Sequence, residues 1–282
     1  MPANFGMPFF YSSLSLIWTY YLVDEALVTP YLADTRLSLS RFTDPECKNK
    51  ALVSLNFQNY AALLGMAISA TNEIEFNLHV CPTAQADRVP PISLGDYLRG
   101  QEQTKLFGEF RLHVPADNAI AVDAGISVFG ERKFLTTFSY NVPSPNNPAT
   151  QTWSYTVFDP SFGGDASRAI YTLQADLRQL AGTTGNGSPL TLYSMLPGGP
   201  NRPPGGRDMR LIGSRWNMFG LYQEYLEIAP ADQARFSLSI GKSDHPMAVD
   251  ARRIFGRAPV VRAVRVFVSP PAAAENRPYY VT

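Results

Sequence analysis

Residues 121–138 read AVDAGISVFGERKFLTTF, a helical pattern that runs into a strand pattern with a lysine at the junction. Pro115 precedes the helical stretch and Asp117 or Asn118 can cap it. Gly130 can end it, because a glycine just past the last turn takes the left-handed backbone that closes a helix. KFLTTFSYNV then leaves as a strand, and TQTWSYTVF pairs with it across a Pro/Asn-rich turn. Two readings of Lys133 are open. It is a solvent-facing charge at a helix-to-strand junction, or a buried amine whose apolar wall is Phe129, Phe134 and Leu135. A free lysine is protonated at neutral pH and is a poor nucleophile; desolvation or a neighbouring cation frees the amine to attack a carbonyl. Arg132 is the adjacent cation and Glu131 the adjacent acid, although neighbours on a strand point to opposite faces.

Upstream, TNEIEFNLHV (71–80) alternates cleanly, with Ile74, Phe76, Leu78 and Val80 on one face and Glu73, Glu75, Asn77 and His79 on the other. Glu73 and Glu75 are either a solvated strand face or an acid/base pair, and a sheet closed around a cavity can turn such a face inward. Further strands are expected in SLSLIWTYYL, TRLSLSRF, KALVSLNF, GEFRLHV, LTLYSML, MRLIGSRWNMFGLYQEYLEI, ARFSLSI and PVVRAVRVFV. Asp24 caps a short helix that ends near Pro30, SLGDYL makes a helical turn, and HPMAVDARRIFG makes another short helix. DASRAIYTLQADLRQLAG is expected to be a helix between Asp165 and Gly182. LPGGPNRPPGGRD is a loop by composition, and the Pro/Ala-rich stretch 270–282 is expected to be a flexible tail. Many strands with a few interspersed helices and no regular βαβ alternation imply an α+β, β-rich class. The expected architecture is one domain over 1–282: a curved, mostly antiparallel sheet closing into a cone-like barrel with short peripheral helices.

The 282-residue chain is 45% hydrophobic, enough for a sizeable core, and 17% charged. Lys+Arg and Asp+Glu are 24 each, so no basic surface excess speaks for nucleic acid, and nothing points to a membrane partner. There are five lysines, Lys48, Lys50, Lys105, Lys133 and Lys242, so each can be questioned individually. Cys47 and Cys81 form no CxxC and read as reduced thiols; with His79, His113 and His245 they show no metal-ligand spacing. No metal and no cofactor are expected. GxxxxGK[ST], GxGxxG and GxSxG are all missing, which disfavours a nucleotide enzyme or a serine hydrolase. The apolar start, FGMPFFYSSLSLIWTYYL, lacks a basic leader and alternates like a strand, so the expected location is cytoplasmic.

AVDAGISVFGERKFLTTF resembles the active-site segment of the acetoacetate decarboxylase family, a short helix, a Gly-x-Pro-Lys-Lys type turn and a strand. TNEIEFNLHV is similar to the family's Tyr-x-Glu strand. IWTYYLVDEALVTPYL is similar to its opening strand followed by Thr-Asp-x-x-Ala-Leu and a helix. The resemblance covers most of residues 13–140. It implies that Lys133 is the Schiff-base lysine and that Glu73 is the acid that moves protons. This decarboxylase is a standard example of a lysine activated beside another cation. Here Phe134 stands where the family has its second lysine, Arg132 where it has proline, Gly125-Ile126-Ser127 where it has Gly-Arg-Glu, and Leu14 where it has the carboxylate-binding arginine. The resemblance therefore implies a Schiff-base lyase of decarboxylase, aldolase or dehydratase type acting on a small keto compound. Its catalytic residues are Lys133 and Glu73, Arg132 and Glu131 tune the amine, and Trp18, Tyr20 and Phe134 line the cavity. The alternatives are a non-catalytic small-molecule-binding protein on the same barrel, and an interaction protein whose cavity is filled by side chains. The family's members commonly form homo-oligomers, which sets the expected assembly.

Overall fold

The structure is a computed structural model that describes residues 5–33, 35–64, 70–143, 151–197, 209–257, 259–269, 273–275 and 278–281. The long strands form where the sequence is rich in aromatic and β-branched residues. They are β1 (Phe9–Asp24), β3 (Lys50–Leu64) and β4 (Ala70–Pro82), with β2 (Leu37–Leu39) as a short edge. β5 (Gly108–Ala116) pairs antiparallel with β4, and β3 lies between β1 and β4. β11 (Leu190–Pro197) runs parallel to β5 and antiparallel to β12 (Met209–Met218); β16 (Ala273–Glu275) joins β12 back to β1. The pairings thus run β1, β3, β4, β5, β11, β12, β16 and return to β1. β15 (Val261–Ser269), expected to close the chain's sheet, pairs with β1 and with β13 (Tyr222–Tyr225), which in turn pairs with β10 (Thr183–Gly185). The sheet is mixed rather than wholly antiparallel.

A second, four-stranded antiparallel sheet has the order β14 (Phe236–Ile240), β9 (Ala169–Asp176), β8 (Thr152–Phe158), β7 (Phe138–Asn141). It covers the apolar face of β3 to β5. Phe57 stacks on Tyr155 with ring centroids 4.6 Å apart. Ile74, Phe76 and Leu78 share one core with Trp153, Tyr171 and the Met247, Ile254 and Phe255 side chains of helix α4 (Pro246–Phe255). The expected helix over Asp165–Gly182 is a correction. Only Ala166–Arg168 turns, capped by Asp165, and β9 follows. Tyr171, Leu173 and Ala175 are all buried, and burial on that period-two face outweighs the helix propensity of the Ala, Leu, Gln and Arg residues around it. The strand expected from KFLTTFSYNV is two strands in two sheets, β6 (Lys133–Leu135) beside β5 and β7 beside β8. Asp24 precedes α1 (Glu25–Val28) without capping it; its carboxylate holds Lys50 at 2.5 Å instead. The loop at 198–208 lies outside the described residues. Within the stretch expected to fray, Ala273–Glu275 is β16, and β17 (Tyr279–Tyr280) pairs with β12.

α2 (Leu94–Leu98) and α3 (Ala119–Phe129) complete the helices. Among the described residues no helix is long and apolar enough to cross a membrane, and Cys47 and Cys81 are buried free thiols.

Candidate active site

The site starts with α3. The Asn118 side chain accepts from the backbone N–H groups of Ile120 and Ala121 at 2.9 and 3.4 Å, which fixes the start of the helix. Gly130, at φ 66°, ends it, and the Glu131 N–H returns to the Gly125 carbonyl at 3.0 Å. The chain then reverses into β6, which runs parallel to β5 with Lys133 opposite Val114. This reversal folds Lys133 back over its own helix. A Cβ on Gly125 would overlap the Lys133 side chain and lie 2.5 Å from a Glu131 carboxylate oxygen. A glycine inside a helix costs about 0.5–1 kcal/mol relative to alanine; here its missing side chain is the space the lysine occupies.

The Lys133 side chain is 6% exposed, so the surface-charge reading does not hold. Its Nζ lies 2.7 Å from Glu73 Oε2 and 3.4 Å from Glu131 Oε2. Glu73 and Glu75 face inward, 4% and 0% exposed, so the solvated-face reading of β4 is also corrected. The reason lies in the register. Gln58 and Asn56 of β3 sit directly opposite Glu73 and Glu75, and Asn77 sits opposite Arg111 of β5. Neighbouring strands therefore supply donors to the carboxylates where water otherwise would. Gln58 donates to Glu73 at 3.1 Å, the Tyr60 hydroxyl donates to Glu73 at 2.9 Å, and Asn56 and Asn77 each donate to Glu75 at 3.2 Å. Burial and the adjacent Glu73 hold the Tyr60 phenol well above its ordinary range, which keeps it a donor.

Arg111 binds Glu75 at 2.5 Å and Glu131 through its other terminal nitrogen. Burial alone would lower its pKa, but Glu75 and the other carboxylates outweigh that and raise it. Glu275 of β16 completes the cluster, receiving a hydrogen bond from Ser214 at 2.8 Å; burial pushes its carboxyl up, opposed by Arg111. Lys133, Glu73, Glu131, Arg111 and Glu275, with Leu14 and Trp216 among others, line a cavity of about 20 Å³. That volume holds about one water.

Structure and sequence agree in bringing Lys133, Glu73 and Glu131 together. The other candidates lie elsewhere. Arg132, just before β6, is exposed and lines another cavity of about 290 Å³ with Tyr31, Met195 and the same Arg111. Phe134 packs on His245 with ring centroids 4.4 Å apart. Trp18 is core, against Trp216 and Tyr222. Tyr20 lines a cavity of about 30 Å³ at the far end of the same inner face, with His79, Glu109, Lys105 and Arg265. Sequence reasoning missed Arg111, Gln58, Tyr60 and Glu275. GEFRLHV does carry a signal, since Glu109, Arg111 and His113 share a parity against Phe110, Leu112 and Val114. Glu275 has none. Among the described residues no group of three His, Cys, Asp or Glu side chains could hold a metal ion.

No protein-family model matches the sequence, and no curated protein matches it. Solved structures do match, over nearly the whole chain. An acetoacetate decarboxylase from Legionella pneumophila superposes with a TM-score of 0.60 at 13% identity, covering 100% of this chain and 92% of that one. The chain has the acetoacetate decarboxylase-like fold. An acetoacetate decarboxylase-like enzyme from Sphingomonas wittichii matches at TM-score 0.59 and 12% identity, over 98% of this chain and 92% of that one. The enduracididine biosynthesis enzyme MppR, in complex with the condensation product of pyruvate and imidazole 4-carboxaldehyde, matches at 0.61 and 12%, over 97% of this chain and 88% of that one. At these identities the likeness speaks for the decarboxylase-like fold, and residue roles rest on the geometry of this chain.

Proposed function

We propose that this chain is a single-domain, cofactor-independent Schiff-base lyase acting on a small keto compound. Its returning ring of strand pairs is the cone-like barrel, and Lys133 is its nucleophile. One observation carries the reading: a buried lysine amine lines a small cavity 2.7 Å from a carboxylate, over a helix glycine that leaves it room. Lysine is rarely buried unless it is paired, and here the pairing partner is itself a buried carboxylate lining the same cavity.

In the proposed reaction Glu73 takes a proton from the Lys133 ammonium, and the freed amine attacks the substrate carbonyl carbon. The C–N bond forms as the C=O π pair moves to oxygen. Protonation of that oxygen and loss of water give the protonated imine. The imine then accepts the electron pair of an adjacent C–H or C–C bond. For C–H the proton goes to Glu73 and the enamine pair expels a hydroxyl from the next carbon as water, leaving an unsaturated imine; for C–C the fragment departs as a carbonyl compound or carbon dioxide and leaves the enamine. Reprotonation of the enamine and addition of water release product and return the amine. Gln58 and Tyr60 hold Glu73 in place throughout. Fixed geometry of this kind is what converts a bimolecular proton transfer into a local one.

The alternative, a non-catalytic binding protein, draws on the tightness of the cavity and on the pairing of Lys133 and Arg111 with carboxylates. Cyanoborohydride reduction in the presence of acetylacetone and hydroxyacetone separates the two. The lyase reading expects a covalent adduct on Lys133 by peptide mass spectrometry, lost in Lys133→Arg. No adduct with any carbonyl compound, or one that persists unchanged in Lys133→Arg, sinks it.

A further inference from the structure

The charges around Lys133 do not balance. Arg111 and Lys133 are the cations of the cluster; Glu73, Glu75, Glu131 and Glu275 are its carboxyls. Counted at formal charge, and with Glu275 protonated, the direction in which burial drives it, three carboxylates face two cations. Both terminal nitrogens of Arg111 are already bound to carboxylates, and Arg132 is exposed and lines the other cavity. Leu14, 1% exposed, lines the cavity as plain hydrocarbon. Among the described residues, no cation of this site is left over for a substrate carboxylate.

The free hydrogen-bonding capacity has a definite shape. Buried Gln58 Oε1 accepts nothing, buried Trp216 Nε1 and Arg111 Nε donate to nothing, and Glu131 Oε2 has only the Lys133 amine at 3.4 Å. All four side chains line the cavity. An unmade buried hydrogen bond costs about 1–3 kcal/mol, so a ligand that supplies both an acceptor and a donor is favoured. A carbonyl oxygen supplies the first and a hydroxyl supplies the second. A carboxylate supplies acceptors alone and adds a like charge beside Glu73 and Glu131, in a medium where such charges interact strongly.

We propose that the Lys133 cavity selects small, uncharged hydroxy-carbonyl compounds and rejects keto acids. This rests on the imine reading above and deepens it. It turns the site away from β-keto acid decarboxylation and toward aldol-type or dehydration chemistry, where the leaving fragment is a neutral carbonyl or water.

The test is a matched trapping series on the whole protein. Hydroxyacetone, pyruvate and acetoacetate are each incubated with protein and cyanoborohydride. Each rate of Lys133 adduct formation is divided by the rate for Nα-acetyl-lysine under the same conditions, which removes intrinsic carbonyl reactivity. The normalised hydroxyacetone rate should exceed the pyruvate and acetoacetate rates by at least about tenfold, which corresponds to about 1.4 kcal/mol of like-charge repulsion. Glu131→Gln removes one negative charge and should narrow that ratio severalfold. Normalised rates for a keto acid equal to or above that for hydroxyacetone overturn the proposal while leaving the imine reading standing. A ratio unmoved in Glu131→Gln, with the variant folded by circular dichroism, overturns the electrostatic account of it. Absence of any Lys133 adduct from all three overturns the imine reading, and this inference with it.

Discussion

The inner face of β4 has two ends that handle buried charge in opposite ways. At one end Glu73 and Glu75 meet Lys133 and Arg111 at 2.7 and 2.5 Å, and buried charges are held in pairs. At the other end, two and four residues along, the face carries Asn77 and His79. There burial drives the His79 pKa down to about 3, helped by Arg265. Burial and the Glu75 charge push Glu109 up to about 8. His79 and Glu109 approach to 3.8 Å, but with those shifts they meet at neutral pH as two neutral groups, not as an ion pair. His79 is satisfied by the Tyr97 and Ser54 hydroxyls at 2.9 and 3.1 Å. The same strands and the same face give ion pairs at one end and a neutral His79–Glu109 contact at the other, where the buried Arg265 pairs with Glu224 at 3.3 Å instead. The difference is whether a fixed cation stands within hydrogen-bonding distance.

The sharpest way to break that contrast is Arg111→Leu. It leaves Glu75 and Glu131 buried without their shared cation. The expected loss is about 3–5 kcal/mol in urea unfolding, the cost of stripping one partner from a buried pair. A loss below about 1 kcal/mol would mean that the carboxylates at this end are already neutral like Glu109, and the two ends would be alike. Gly125→Ala comes next. The new Cβ displaces the Lys133 side chain from its seat against Glu73. Overpacking of this kind costs about 1–3 kcal/mol. The variant should also lose Lys133 trapping by about tenfold or more, since a misplaced amine forfeits its effective concentration. Normal trapping in Gly125→Ala would show that the lysine reaches substrate from another position.

The far end is tested by pH. A carboxyl whose folded pKa is raised binds its proton more tightly in the folded state. Its contribution is fully present below the unfolded value of 4.5 and is lost as pH rises toward about 8. His79 has the opposite sense. With its folded pKa depressed from 6.5 to about 3, its contribution is present above 6.5 and is lost as pH falls toward 3. Between 6.5 and 8 Glu109 acts without His79. In that window the wild-type protein should lose about 1–2 kcal/mol relative to Glu109→Gln, measured by unfolding at each pH. Parallel pH curves for the two proteins would place the charge on Glu109 in the folded state and make the two ends equivalent.

Much of this arrangement was legible in the sequence. The cap at Asn118, the stop at Gly130 and the strand after it locate Lys133, because caps and left-handed glycines are local signals. The alternation of TNEIEFNLHV sorted Glu73, Glu75, Asn77 and His79 onto one face, because the strand period is also local. What covers that face is not a local property. A polar stripe looks the same whether water or Gln58, Asn56 and Arg111 satisfies it, and only strand register decides. For the same reason Tyr20 and Trp18, sound candidates by residue type, landed at the far end and in the core. Glu275 joins the site through strand pairs with β1 and β12, more than 50 residues away along the chain, from a segment whose composition suggested fraying. The misread helix at 165–182 failed on the same principle, since its apolar spacing suited a helix until a second sheet offered a period-two surface to bury against.

Arg132→Ala should have the smallest effect, and it isolates the role of adjacency. By position in the chain Arg132 is the nearest cation to Lys133, and on that ground it was the candidate to tune the amine. Yet it stands just before β6, exposed, and lines a larger cavity beside Tyr31 and Met195. Exposed substitutions without buried partners shift stability by about 0.5 kcal/mol or less, and charges separated by solvent couple weakly through screening. Trapping of Lys133 in this variant should stay within about twofold of wild type at moderate salt. A tenfold fall would mean that the guanidinium reaches the amine in solution, and that this end owes part of its charge balance to a residue the fold points elsewhere.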